Sequence, residues 1–235
     1  MRSTQPPTHQ STSTAAPMPM RDLQRAGGIA ALVEGATYIV GIGVFAAYLA
    51  PRGFLDAHGD PAASLTVLLD NQVVMFVWYL LIYLVAGAAL VVVSLGIHDR
   101  LKHATPALAQ VTTAFGLIWS GVVLSSGMVA LVGQRAAVEL AATDRSEAVS
   151  TWSAVSTVQT ALGGGIEIVG AIWIILLSVA ALRGRTLSRG ISVLGIAVGV
   201  AGMGTLVPQV ADAGAVFGIG FIAWYLWAGR TLLRP

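Results

Sequence analysis

The chain has 235 residues, of which 56% are hydrophobic and only 10% are charged, and its formal net charge is +2. This composition lies outside the range of soluble globular domains and predicts an integral membrane protein. Cysteine is absent, which excludes disulfides, thiolate metal sites and cysteine nucleophiles. No basic patch with interleaved aromatic residues occurs, so we expect no nucleic acid partner.

The chain begins with a polar segment. Residues 1–24 are rich in Ser, Thr, Pro and Gln at their start and have no apolar periodicity there. Such a composition predicts a disordered tail, which we place in the cytoplasm. Residues 25–235 are predicted to form a single transmembrane domain.

Six apolar stretches follow, each near the length of about 20 residues that a helix needs to cross a bilayer. The predicted fold is therefore all-α and polytopic, with six transmembrane helices. The fourth stretch is longer than a bilayer is thick, and the last is the shortest. The predicted spans are 26–50, 72–96, 106–133, 153–182, 190–209 and 213–229.

The basic residues fall mainly on one side of these spans. With the N-terminus inside, ten of the thirteen Lys and Arg residues lie in inner segments, and the other three, Arg52, Arg135 and Arg145, lie in outer loops. Cytoplasmic loops of membrane proteins carry an excess of these residues. We therefore predict that both termini are cytoplasmic and that the protein is multi-pass in the plasma membrane, with the lipid bilayer as its partner.

The outer loops contain two local predictions. Asp60 followed by Pro61 is typical of a helix start, so a short helix at residues 62–69 is one interpretation of the first outer loop, and an ordinary loop is the other. The third span is expected to continue beyond residue 133 and to break near Thr143 and Asp144.

Aromatic residues cluster near the predicted ends of the spans. Aromatic belts are usual at both membrane interfaces, so these residues carry no functional prediction. The expected positions are the outer interface for Trp78, Tyr79 and Trp152, and the inner interface for Trp224, Tyr225 and Trp227.

Small residues recur at helical spacing along several spans, which lets helices approach closely in a membrane. Ordinary packing of the bundle explains these glycines without a further role. The predicted packing positions are Gly163, Gly164, Gly170, Gly195, Gly199 and Gly202.

Glu34 and Glu167 are the only two charged residues inside the predicted spans. A charged side chain at mid-membrane costs roughly 2.5–3.5 kcal/mol on insertion scales, and no Lys or Arg lies within a predicted span to pair with either. Steps of three and four residues place both on faces of small or polar residues. We expect both to point into the bundle, as neighbours between the first and fourth spans.

Two interpretations of the glutamates remain open. In one, each is protonated and hydrogen-bonded to a nearby hydroxyl or amide, and its role is structural. In the other, they face a wet cavity and meet a cation, a proton or a basic ligand group. The candidate ligand or proton site comprises Glu34, Glu167, Tyr38, Thr37 and Thr160.

The sequence predicts no catalytic residue, metal site or cofactor. No nucleophile–base set, HExxH motif, phosphate-binding loop or dinucleotide-binding motif occurs in a supporting context. We therefore expect a protein that is not an enzyme.

Three stretches carry a resemblance to a known family: RAGGIAALVEGATYIVGIGVF, LGGGIEIVGAIWIILLSVAALRG and FGIGFIAWYLWAGRTLL. From about Arg25 onward, the chain resembles a family of small bacterial membrane proteins labelled only as a domain of unknown function. The resemblance implies a six-helix integral membrane protein and carries over no catalytic residue. In similar sequences a polar residue precedes the glutamate of the fourth span, where Ile166 stands here.

The sequence is compatible with two functions. The first is a structural, sensory or accessory membrane protein in which the glutamates fix helix packing. The alternative is a small transporter or proton-coupled permease that uses Glu34 and Glu167 to bind a small molecule or an ion. A water-filled crevice reaching both glutamates favours transport, and a dry bundle favours the first function. No oligomeric state is predicted.

Overall fold

The structure is a computed structural model that describes residues 20–57, 59–164, 167–207, 209 and 213–234. All regular elements of these residues are helical, as predicted. Most of the predicted N-terminal tail, and Ile166, lie outside the described residues. The first helix already begins at Met20, inside the predicted tail.

The helices follow one another with few intervening residues. Wider or tighter helical turns extend some of them: Phe45–Leu49 and Ala50–Arg52 follow the first helix, Leu80–Val85 joins the third to the fourth, and Thr160–Gly164 follows the sixth. The described α-helices are α1 (Met20–Val44), α2 (Pro61–Asp70), α3 (Gln72–Tyr79), α4 (Ala86–Leu101), α5 (Pro106–Ala141), α6 (Arg145–Gln159), α7 (Ile168–Gly184), α8 (Arg189–Gly204) and α9 (Ala213–Leu233).

Within the described residues, five helical stretches are long and apolar enough to cross a membrane, judged by length and composition. α8, with 16 residues, is shorter. The predicted last span is not the shortest, because α9 continues to Leu233 and has 21 residues. These are the helices of a multi-pass membrane protein. The five stretches are Asp22–Arg52, Gln72–Leu101, Pro106–Ala141, Arg145–Gly184 and Ala213–Leu233.

The long helices form an up-and-down ring in chain order. α1 packs against α4 and α9, α4 packs against α5, α5 packs against α6 and α7, and α8 lies between α7 and α9. Neighbouring helices run in opposite directions, as their contacts show. Gly195 of α8 lies beside Ser178 of α7, and Gly202, further along α8, lies beside the earlier residue Ala171 of α7. The α8 helix therefore runs antiparallel to α7 through the same layer of the bundle.

The ring has two distinct ends. At one end, Gly28 of α1 lies beside Leu233 of α9, so the first and last described helices meet there; we call it the terminal end. The opposite, distal end holds α2, which packs against α6. Asp60 caps α2 by accepting hydrogen bonds from the amides of Ala62 (2.9 Å) and Ala63 (3.1 Å). The short helix predicted at residues 62–69 is thereby confirmed.

The fourth predicted span is not one continuous helix. The predicted break before it is confirmed, because α5 ends at Ala141 and Asp144 accepts a hydrogen bond from the amide of Glu147 to begin α6. A second break, which the hydropathy pattern did not predict, is marked by the non-helical backbone of Gly163 and by the start of α7 at Ile168, after Glu167. Gly163 has φ of +115°, a left-handed conformation that glycine adopts with little strain.

Four of the six glycines predicted to pack do lie at close helix contacts. Gly163 has no described atom within 4 Å of an added Cβ, so its conformation and not its packing requires glycine. The surroundings of Gly164 lie outside the described part of the structure. The physical reason for the difference is that the chain leaves the helical path there. The four positions where an added Cβ would meet a neighbouring helix at under 3.0 Å are Gly170, Gly195, Gly199 and Gly202.

Aromatic residues fill the centre of the bundle, including two that were expected at the inner interface. Trp224 and Tyr225 are fully buried, and Trp227 is 43% exposed. Trp224 and Tyr225 follow Phe217 and Phe221 at steps of three and four residues. These four residues therefore lie on the buried face of α9. Trp224 and Tyr225 therefore face the core of the bundle, which a prediction based on depth along the helix did not anticipate.

Candidate functional site

A cavity of about 370 Å³ lies inside the bundle. Its wall is formed by α1, by α4 and the turn before it, by α3, by α5, by the break between α6 and α7, and by α9. Along α1 and the start of the wide turn that follows it, the lining residues run from Glu34 to Phe45, so the cavity extends from the middle of the bundle towards its distal end. Its volume falls in the range of about 300–1,000 Å³ that small-molecule sites occupy.

Four of the five residues of the predicted site line this cavity: Glu34, Thr37, Tyr38 and Glu167. The fifth, Thr160, is exposed and does not line it. The prediction for Thr160 counted helical steps through a continuous fourth span. Because the chain breaks at Gly163, the face of Thr160 no longer continues into the face of Glu167.

Glu34 is a buried carboxylic acid with an unsatisfied oxygen. Its side chain is only 2% exposed, and its Oε1 has no hydrogen-bond partner among the described residues. The hydroxyl of Thr37, one turn away on the same wall, donates to the backbone carbonyl of Glu34 at 2.8 Å. A buried polar atom without a partner is unfavourable, so this oxygen is available to a ligand, a proton or water in the cavity.

Glu167 lies at the break in the fourth span and is the residue before the first turn of α7. Its backbone amide donates to Thr205 Oγ1 at 3.0 Å, and that hydroxyl donates to the carbonyl of Gly202 at 2.7 Å. The end of α8 thus holds the break in place. The Glu167 side chain makes no capping hydrogen bond to α7, and the residue lines the cavity.

Two tyrosines connect the carboxyl groups. The rings of Tyr38 and Tyr225 lie 5.9 Å apart between centroids, and each tyrosine is within electrostatic range of both Glu34 and Glu167. Tyr225 is fully buried, and its hydroxyl has no hydrogen-bond partner in the described part of the chain. The two acids, which lie far apart in sequence, therefore share one cavity with two phenol groups.

Tyr83, Trp119 and Tyr225 line the cavity although the sequence analysis did not select them. Tyr83 accepts a hydrogen bond from the side-chain amide of Gln159, which ties α6 to the wide turn before α4. That wide turn shifts the helical phase, so counting steps along the second span does not place Tyr83. Tyr225 could have been found from its spacing, because it follows Phe217 and Phe221 at steps of four residues and so shares their face of α9.

The chemistry of the wall is acidic, phenolic and aromatic. The described lining residues include no Lys, Arg or His, and no group of three or more His, Asp or Glu side chains that could hold a metal ion occurs among the described residues. Two carboxyl groups in an otherwise apolar cavity can bind a cation, a proton or a hydrogen-bond donor.

No protein-family model, curated protein or solved structure matches the chain. Function is therefore inferred from the geometry and chemistry of the site itself.

Proposed function

We propose that this chain is a non-enzymatic membrane protein that binds a small ligand between Glu34 and Glu167 and moves it across the membrane, as a small transporter or proton-coupled permease. The observation that carries the proposal is the convergence of both glutamates on one cavity of about 370 Å³. A structural role would pair each carboxyl oxygen with a neighbouring group, yet Glu34 Oε1 lacks a partner among the described residues. The cavity favours transport over a structural or accessory role.

The break in the fourth span supports the same function. Non-helical backbone at membrane depth is tolerated where it is buried in protein or lines a cavity. Secondary transporters commonly place the substrate site at interrupted helices, where freed backbone groups and helix dipoles meet the ligand. Gly163 and Glu167 flank the break, and both line the cavity.

The proposal includes six membrane crossings. At about 1.5 Å per residue, α8 is about 24 Å long, which is less than the bilayer core of about 30 Å. It nevertheless runs antiparallel along both neighbours, with Gly199 beside Ile175 of α7 and Gly190 beside Trp227 of α9. Counting α8 as a crossing gives an even number, which agrees with the meeting of the two outermost described helices at the terminal end.

The proposed orientation places the terminal end in the cytoplasm. Ten of the thirteen Lys and Arg residues then lie in cytoplasmic segments, in agreement with the positive-inside rule. The cavity consequently extends from the middle of the plasma membrane towards the external side. In the same proposal, the protein belongs to the bacterial membrane proteins that its sequence resembles.

A cavity-filling variant tests ligand binding. Val123 of α5 lines the cavity, whereas the side chain of Val132, on the same helix, points away from the bundle and is 71% exposed. Val123→Trp should occupy the cavity, and Val132→Trp adds the same side chain outside it. The measurement is thermal unfolding of purified protein with a panel of small molecules and ions, because a ligand of the folded state raises the midpoint.

We expect at least one compound to raise the unfolding midpoint of the parent protein and of Val132→Trp but not of Val123→Trp. The same compound should enter reconstituted vesicles that contain the parent protein, and Val123→Trp should abolish that flux. If no compound shifts the midpoint, or if it shifts both variants equally, the cavity is not a ligand site.

A further inference from the structure

The cavity wall also narrows the class of ligand. We propose that the cavity binds a monovalent organic cation with an apolar or aromatic body, and that its charged nitrogen lies between Glu34 and Glu167. This inference rests on the proposed function and names the substrate class for the same site.

The charge of the wall selects for a cation. The titratable side chains among the described lining residues are Glu34, Glu167 and three tyrosines, and none of them becomes positively charged. An ammonium group placed there gains Coulomb attraction in a region of low dielectric, where such attraction is stronger than in water. An ionised carboxylate repels an anionic ligand, and a neutral ligand leaves that buried charge uncompensated.

The shape and polarity of the cavity select for an organic body. Tyr38 and Tyr225 lie next to the acids, and their ring faces can contact a cation favourably. Towards the distal end the wall becomes apolar, with Phe45 stacked on Trp78 at 6.4 Å between ring centroids. The charged end of a ligand therefore belongs near Glu34, and its apolar end belongs near Phe45.

A metal ion fits this cavity poorly. Ca²⁺ takes about six to eight oxygen ligands, and Mg²⁺ needs a near-ideal octahedron. The described part of the chain contains no cluster of three or more metal-binding side chains. A bare ion would also leave most of the volume of about 370 Å³ unfilled. The organic body accounts for the volume. A single positive charge balances one ionised carboxylate, and the other acid retains a proton because like charges in one cavity disfavour double ionisation.

Four probes separate these properties. Benzyltrimethylammonium carries both the charge and the ring, tetramethylammonium carries the charge alone, phenylmethanesulfonate carries the ring with the opposite charge, and Mg²⁺ represents the metals. Binding to the full-length protein in detergent is measured by calorimetric titration at fixed ionic strength. We expect benzyltrimethylammonium to bind at least tenfold more tightly than tetramethylammonium, and phenylmethanesulfonate and Mg²⁺ not to bind.

Matched substitutions locate the probe. Glu34→Gln and Glu167→Gln should each weaken binding of benzyltrimethylammonium at least tenfold. Glu147→Gln, the same change at an exposed position in the first turn of α6, should leave it unchanged. If the two glutamine variants fold poorly, Phe45→Leu serves instead. Loss of the ring should reduce the preference for benzyltrimethylammonium over tetramethylammonium and leave tetramethylammonium binding intact.

The possible outcomes distinguish this inference from the proposed function. Binding of phenylmethanesulfonate or Mg²⁺ in place of the organic cation, or equal affinities in Glu34→Gln and Glu147→Gln, overturns the cation assignment. If a neutral or anionic compound binds and Val123→Trp abolishes that binding, the cavity is a ligand site for another class. If no compound of any class binds, both the inference and the proposed function are wrong.

Discussion

The break before α7 depends on one glycine, and Gly163→Ala tests that dependence. Gly163 has φ of +115° and ψ of 19°, and no atom of the described residues lies within 4 Å of the position that a Cβ would occupy. The substitution therefore introduces no collision, and its whole effect is conformational. We expect the variant to be destabilised because alanine disfavours this backbone conformation.

The size of the effect follows from two opposing contributions. A strained left-handed backbone conformation in a non-glycine residue raises the free energy of the folded state by about 1–3 kcal/mol. Alanine also restricts the unfolded chain, which offsets about 0.4–1 kcal/mol of that loss. The net expectation is a decrease of about 1–2 kcal/mol in the free energy of unfolding, equivalent to about a tenfold change in the folding equilibrium.

Gly121→Ala is the matched control for this prediction. Gly121 lies inside α5 and likewise has no atom within 4 Å of an added Cβ. Because its backbone is helical, alanine should be neutral there or stabilise the protein by up to about 1 kcal/mol. Reversible unfolding in mixed micelles, followed by tryptophan fluorescence, measures both variants. Equal stabilities would show that the fourth span is a continuous helix and would refute the break.

Three further predictions concern packing, capping and topology. Gly199→Ala should lower the free energy of unfolding by about 1–3 kcal/mol relative to Gly121→Ala in the same assay, because its Cβ would lie 3.0 Å from a backbone oxygen of α7; equal stabilities would place this face towards lipid. Asp60→Ala should lower it by about 1 kcal/mol through loss of the α2 cap, and exposed Asp56→Ala should not, so identical unfolding curves would contradict the cap. A reporter enzyme that works only outside the cytoplasm should be silent when fused to the C-terminus, and activity there would contradict the six crossings or their orientation.

Much of the fold was predictable because the bilayer imposes a simple rule on the backbone. Spanning segments must be helical and apolar over about 20 residues, so hydropathy locates them. The cap at Asp60 was predictable because the interaction is local, between the side chain and amides two and three residues away. The break at Gly163 was not, since glycines are common in membrane helices. It is held by the hydrogen bond from the amide of Glu167 to Thr205, which lies 38 residues further along the chain than Glu167.

The site was predictable only in part. Glu34 and Tyr38 lie one turn apart on the same face of α1, and a regular helix keeps them together. Glu167 was identified as a carboxylate in an apolar stretch. The prediction of Thr160 counted helical turns back from Glu167 and failed because the helix breaks at Gly163. Tyr225 was missed because depth along a helix does not reveal which side faces the core. The close approach of α9 to α1 determines that rotation.

Water access to the cavity is the most direct test of the central claim, and the absence of native cysteine makes it feasible. In Val123→Cys the thiol lies in the cavity wall. In Ile118→Cys it lies on the outside of the bundle, in the middle of α5, where the side chain is 53% exposed and faces lipid in the proposed membrane arrangement. Proteoliposomes are treated with two water-soluble methanethiosulfonates, one bearing a trimethylammonium group and the other a sulfonate.

The trimethylammonium reagent should modify Val123→Cys and react faster than the sulfonate reagent, because Glu34 and Glu167 attract the cation. This difference in rate should disappear when both glutamates are replaced by glutamine, and Ile118→Cys should remain unmodified by either reagent. Absence of reaction at Val123→Cys, or equal rates for the two reagents, would contradict the account by showing that the bundle is dry or that its acids attract no cation.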